Sequence, residues 1–167
     1  MKLEDVQKNI ADWIENFLEV GHPNLGGRSP CPFARSARVK NSYEVRLGTE
    51  LYNDMMDVGR LGLGDKEVLI YAYPQDFYSA EEFQQLIEQV NLGFLIPVDL
   101  IALDDHPLWV EEVNGVIFNQ GEYALALVQS LSDLNQRSRA MAEQGFYKDW
   151  PDDYLQDLFK HRKDPRT

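Results

Sequence analysis

Two short stretches hold most of the side chains able to do chemistry in this chain, which has a single cysteine and three histidines. The first runs from His22 to Arg46, HPNLGGRSPCPFARSARVKNSYEVR. Cys31 lies there between Pro30 and Pro32, whose rings fix φ and push Ser29 and Cys31 toward extended backbone. A thiol on a stiff, non-helical turn beside cations favours the thiolate, its nucleophilic form. The second stretch is Asp104-Asp105-His106-Pro107, directly after a predicted strand, where α/β proteins commonly place chemistry. Asp104 and His106 are two apart, so in extended chain they point the same way.

Two chemistries fit these residues. In one, Cys31 is a nucleophile or redox centre, His106 or His22 moves protons, and Asp104 or Asp105 orients the imidazole. In the other, His22, Asp104 and His106 form a two-histidine, one-carboxylate site for non-haem iron or a related transition metal. The inert alternatives are a buried Cys31 used as a small hydrophobe and a solvated acidic turn capped by Pro107. His161 sits in a charged C-terminal tail and reads as a surface residue.

Charge supports a small anionic ligand. The chain carries 16 basic and 28 acidic side chains, a net charge of -12, yet Arg28, Arg35, Arg38, Lys40 and Arg46 cluster with Glu44 as the only acid among them. A positive island on an acidic protein concentrates small anions and repels large polyanions. Arginine's planar fork suits a carboxylate or phosphate, so Arg35, helped by Arg28 or Arg38, is the expected substrate-binding residue. Ion pairing with neighbouring helices is the competing use of the same arginines. The acidic balance argues against general nucleic-acid binding and against an anionic membrane surface.

The box Cys31-Pro32-Phe33-Ala34, preceded by His22-Pro23-Asn24-Leu25-Gly26, resembles the Cys-Pro-Phe box of small uncharacterised bacterial proteins. Further matches to that pattern would be His106-Pro107 and Asn119-Gln120-Gly121, the latter as a turn leading into a helix. The resemblance spans about residues 20 to 135. It implies no settled activity, so it supports the choice of site and adds no chemistry to it.

The elements that must position these residues follow from periodicity. Leu3, Val6, Ile10, Trp13, Ile14, Phe17 and Leu18 recur three and four apart and predict an amphipathic helix over 3–20, ended by Gly21 and Pro23. A long loop over 21–36 follows. Strands are predicted over 39–47, 68–73 and 98–103, with a short helix over 50–58. A second helix is opened by the capping box Ser79 and Glu82. Residues 109–118 suggest an edge strand or hairpin broken at Asn114-Gly115. A long helix is expected from 121 or 122 to about 143, then a short one over 151–161. The Gly59–Asp65 run lacks the order of a dinucleotide fingerprint and reads as a turn.

Strands alternating with helices predict an α+β layered domain: a small mixed sheet of three to four strands packed by helices, with terminal helices flanking it. One domain is expected over 1–167, made of the N-terminal helix (1–20), the Cys-Pro-Phe loop (21–36), a sheet-and-helix core (37–144) and a C-terminal helix and tail (145–167). No run of 18 apolar residues or signal peptide is seen, and one cysteine excludes an intramolecular disulfide, so a cytoplasmic location is expected. A homodimer is compatible with the chain, closed two-fold dimers being the commonest soluble oligomers. The function expected is a small enzyme acting on a small anionic metabolite. Its rival is a non-catalytic protein that binds a ligand or partner, with the Cys-Pro-Phe loop as a structural clasp.

Overall fold

The computed structural model describes all 167 residues and has an α+β fold with a mixed four-stranded sheet and a separate two-stranded one. Helix α1 (Leu3–Trp13) buries Val6 and Ile10 and runs on through one wider turn to Leu18. A short helix α2 (Ala34–Val39) then precedes strand β1 (Tyr43–Leu47). Helix α3 (Leu51–Leu61) carries the chain to β2 (Val68–Pro74), which pairs with β1 in parallel. This is the expected βαβ unit. Helix α4 (Ala80–Val90) starts at the reciprocal Ser79–Glu82 capping box and leads to β3 (Leu100–Asp105). The small hairpin of β4 (Glu112–Val113) and β5 (Val116–Ile117) stands apart from the main sheet. Its turn holds Asn114 and Gly115 at φ 52° and 84°, the left-handed pair that suits a two-residue hairpin. Strand β6 (Tyr123–Ser130), α5 (Leu131–Glu143) and α6 (Asp152–Leu158) complete the chain.

Two expectations are corrected. Residues 34–39 are helical, and β1 begins only at Tyr43. More consequentially, the long helix expected from 121 to 143 is a strand for its first third. β6 lies between β2 and β3, antiparallel to both, in the order β1-β2-β6-β3. Its sequence, YALALVQS, is apolar on both faces, so strand alternation is hidden, as it is for any strand covered on both sides.

The two faces of the sheet do different work. Leu69, Tyr71, Tyr73, Leu100, Ala102, Ala124, Ala126 and Val128 point to one face and pack on α3 and α4 in the largest core cluster. There the buried Asn91 side chain exchanges two hydrogen bonds with the Ala102 backbone, at 2.9 and 2.8 Å, anchoring the edge strand β3. On the other face, Val45, Ile70, Ala72 and Leu125 pack under α1, with Cys31 and Ala34 in the same cluster. A third cluster joins Phe17, Leu25, Val113, Val116 and the C-terminal aromatics Phe146, Tyr147, Trp150 and Phe159. Asn24 and Asn114 exchange hydrogen bonds with each other's backbone carbonyls, and Asn114 also donates to the Asp149 carbonyl at 2.7 Å. The hairpin turn thus ties the 21–27 loop to the C-terminal segment. No helix is long and apolar enough to cross a membrane.

Candidate functional site

On the α1 face of the sheet lies a cavity of about 340 Å³, within the range of small-molecule sites. All four strands of the sheet contribute to its floor, among them Tyr43, Ile70, Leu127 and Leu103. Trp13, Ile14 and Leu18 come from α1, and the Cys-Pro-Phe loop supplies Pro30 to Ala34. The far wall is aromatic: Phe118, Phe146, Tyr147, Trp150 and Tyr154, whose rings meet mostly edge to face. Among these apolar groups stand one cation, Arg162, and the acids Asp104, Asp105, Glu111 and Asp157.

Several polar atoms of this lining are buried and have no partner. They are the indole Nε1 groups of Trp13 and Trp150, Arg162 Nε and Asp105 Oδ2. Buried polar atoms in native proteins are nearly always hydrogen-bonded, and leaving one bare costs about 1–3 kcal/mol. Four such atoms border this one cavity.

Arg162 stacks its guanidinium on the Phe159 ring, 4.7 Å from the centroid, and one terminal nitrogen donates to the buried Ser138 hydroxyl. No carboxylate lies within ion-pair distance of it, although nine other lysines and arginines have one. Burial pulls its guanidinium below the ordinary value, but an arginine stays charged. A positive charge therefore faces an apolar cavity uncompensated.

The acids gather around the end of β3. Asn119 holds two of them in place. Its Nδ2 donates to Asp105 Oδ1 at 2.6 Å, and its Oδ1 accepts from the Glu111 backbone N–H at 2.7 Å. Tyr154 donates its hydroxyl to Glu111 Oε1 at 2.6 Å. Asp105 is 6 % exposed; burial pushes its carboxyl up to about 7, with Glu111 and Asp104 adding to the rise. Burial raises Glu111 and Asp104 as well. None of the four carboxylates has a basic partner.

The residues expected from sequence fare unevenly. Cys31 does line the cavity and is partly accessible within it. The expectation of a stabilised thiolate is not met: burial pushes the thiol up, and the Phe33 and Ala34 amides and Arg162 only moderate that rise. Alkylation of Cys31 by iodoacetamide should therefore be slow at pH 7 and accelerate only above the ordinary thiol value of about 8.5. Rates measured from pH 6 to 10 check this, and an inflection below 8 would restore the thiolate.

His106 cannot serve Cys31. It packs on Phe83 of α4, on the opposite face of the sheet from the cavity. Leu108 N–H donates to its Nδ1 at 3.1 Å, so its Nε2 carries the hydrogen and donates to the Tyr78 carbonyl at 3.0 Å. Both nitrogens are committed and the residue is 1 % exposed. His22 packs against the Phe17 ring, 5.3 Å between centroids, and is not part of the cavity wall. The expected metal set of His22, Asp104 and His106 is therefore not assembled; no three histidine, cysteine, aspartate or glutamate side chains converge in a way that could hold a metal ion.

The basic island is largely spent on structure. Arg38 makes a two-point pair with Glu19, at 2.9 and 2.8 Å, Arg46 pairs with Glu44 and Lys40 with Glu67. Arg28 donates to the Gln144 carbonyl at 3.2 Å, and Arg35 is exposed on α2. None of Arg28, Arg35 and Arg38 lines the cavity. His161, expected at the surface, is half-buried and bonded to Glu88.

No family model, curated protein or solved structure matches the chain. The Cys-Pro-Phe resemblance rests on its residues alone.

Sequence reasoning missed Arg162, which stands in the segment HRKDPRT and has the composition of a solvated tail. The only signal was its spacing from Leu155, Leu158 and Phe159, which continues the apolar face of α6. From sequence, Asp105 enters only as an orienter of an imidazole; in the structure it is a buried acid of the cavity lining, beside Asp104.

Proposed function

We propose that this protein binds a small, largely apolar anion, with its carboxylate or equivalent group held by Arg162. The observation that carries this reading is the guanidinium that borders an apolar cavity with a buried, unpartnered Nε and no carboxylate in reach. An uncompensated buried charge costs stability, and a ligand anion would offset that cost on binding. The indole donors of Trp13 and Trp150 are placed to serve the same ligand's acceptors. Binding, with the Cys-Pro-Phe loop as one wall, is favoured over thiol catalysis because burial pushes the Cys31 thiol up and no histidine lines the cavity beside it.

Octanoate is the simplest probe of this class: an apolar chain with one carboxylate. Titrated into isotopically labelled protein, it should shift the indole N–H resonances of Trp13 and Trp150 and leave that of Trp109, which is outside the cavity wall, in place. Absence of any saturable shift at millimolar octanoate would sink the anion reading.

A further inference from the structure

Arg162 answers for one charge in this cavity and leaves the acids unexplained. Asp104, Asp105, Glu111 and Asp157 all border it, and no lysine, arginine or histidine pairs with any of them. Carboxylates so placed repel one another and are costly to keep near apolar walls. The local architecture nonetheless holds them there, through the Asn119 clamp on Asp105 and Glu111 and the Tyr154 bond to Glu111. One further observation points to a missing partner. Asp105 Oδ2 is bare in a side chain more than nine-tenths buried.

We infer that the carboxylate wall is a subsite for an organic cation, and that the ligand is a zwitterion with an apolar body, its ammonium among Asp105, Asp104 and Glu111 and its anion at Arg162. This deepens the anion reading and rests on it. A metal ion is the lesser fit, because the acids do not converge into a coordination set. A primary ammonium has three donors and would satisfy Asp105 Oδ2 while neutralising its neighbours. Burial, with Glu111 and Asp104 adding to it, raises the Asp105 carboxyl, and a cation beside it would oppose that rise. Both ends border one cavity: Arg162 and the acids Asp104, Asp105 and Glu111 all belong to its lining.

Three probes of equal chain length test this by calorimetry at pH 8: octanoate, octylamine and ω-aminooctanoate. The expected result is that ω-aminooctanoate binds at least tenfold more tightly than octanoate, and that this advantage disappears in Asp105→Asn and shrinks in Glu111→Gln. An ω-aminooctanoate affinity no better than that of octanoate would overturn the cation subsite and leave the Arg162 reading standing. Binding of octylamine without octanoate would overturn the Arg162 reading and with it the zwitterion. Binding of none of the three would overturn both.

Discussion

Arg162→Met is expected to weaken octanoate binding by about 10- to 100-fold and to leave the folded protein as stable as before or more so. The first half follows from the strength of charge-assisted hydrogen bonds, about 1.5–3 kcal/mol each, with 1.4 kcal/mol per factor of ten. The second half follows from what Arg162 does in the free protein. Its charge has no carboxylate partner, its Nε has no acceptor, and its gains are a stack on Phe159, a bond to Ser138 and the neighbouring Tyr147 hydroxyl. Methionine fills similar volume and keeps the contact with Phe159, at the cost of freeing the Ser138 hydroxyl. Replacing unsatisfied buried charge by apolar volume is often neutral or stabilising. Titration calorimetry with octanoate and thermal unfolding, run on the same two samples, check both halves. A variant that unfolds many degrees lower yet binds as before would show that Arg162 is a structural strut.

The second large effect concerns pH. Asp105 has a folded value of about 7 against an ordinary 3.8, so between those values the folded protein holds a proton that the unfolded chain has released. Stability rises with pH only where the unfolded state binds more protons. Here the folded state binds more, so the contribution of Asp105 falls as pH rises from about 4 to 7 and is level above that. At 1.36 kcal/mol per pKa unit, the loss is on the order of 4 kcal/mol, and the raised Asp104 and Glu111 act in the same direction. Tyr154, Asp157 and His106 are the other titratable groups around these acids.

Asp105→Asn removes the titration. Its amide oxygen still accepts from Asn119, and no charge remains to be buried. The variant should therefore match the wild type near pH 4 and exceed it at pH 8 by a few kcal/mol, or roughly 2–4 °C in Tm for each kcal/mol. Melting curves of both proteins at pH 4, 6 and 8 check it; parallel pH profiles would show that Asp105 is not the group responsible.

The sequence made some of this legible. The helix over 3–20, the βαβ unit, the Ser79–Glu82 box and the Asn114-Gly115 turn are all local signals, and each appears in the fold. Strand β6 was hidden because both of its faces are buried, so alanines and leucines read as a helical run continuing into α5. Ser130, whose hydroxyl accepts from the Asp133 N–H, was the mark of the true helix start. The site was half visible. Cys31 and the acidic end of β3 do border one cavity, although the sequence placed Asp104 and Asp105 in a turn after the strand. Their expected partners were wrong because burial of a histidine, the pairing of Arg38 with Glu19 and the return of the C-terminal tail are long-range matters. Composition made Arg162 look like solvent-facing charge, and only the tertiary fold brings it inside.

The position of β6 also bears on how the sheet is completed. Strand β3 has no neighbour other than β6, and β2 meets β3 only through it. Strands β1 and β2 can pair as soon as both have been made, but β3 must wait until residues 123–130 are available. Until then β2 keeps one open, strongly apolar edge, Leu69 to Tyr73, and β3 has none of its strand hydrogen bonds. The last strand to leave the ribosome is thus a keystone inserted between two that are already waiting. Closing it joins residues far apart in the chain, such as Ile70 with Leu127, and long-range closures of this kind are the slow steps of folding. The cavity has its floor only after that insertion, since Leu127 and Gln129 are part of it, so no ligand can hold the chain before the sheet is whole.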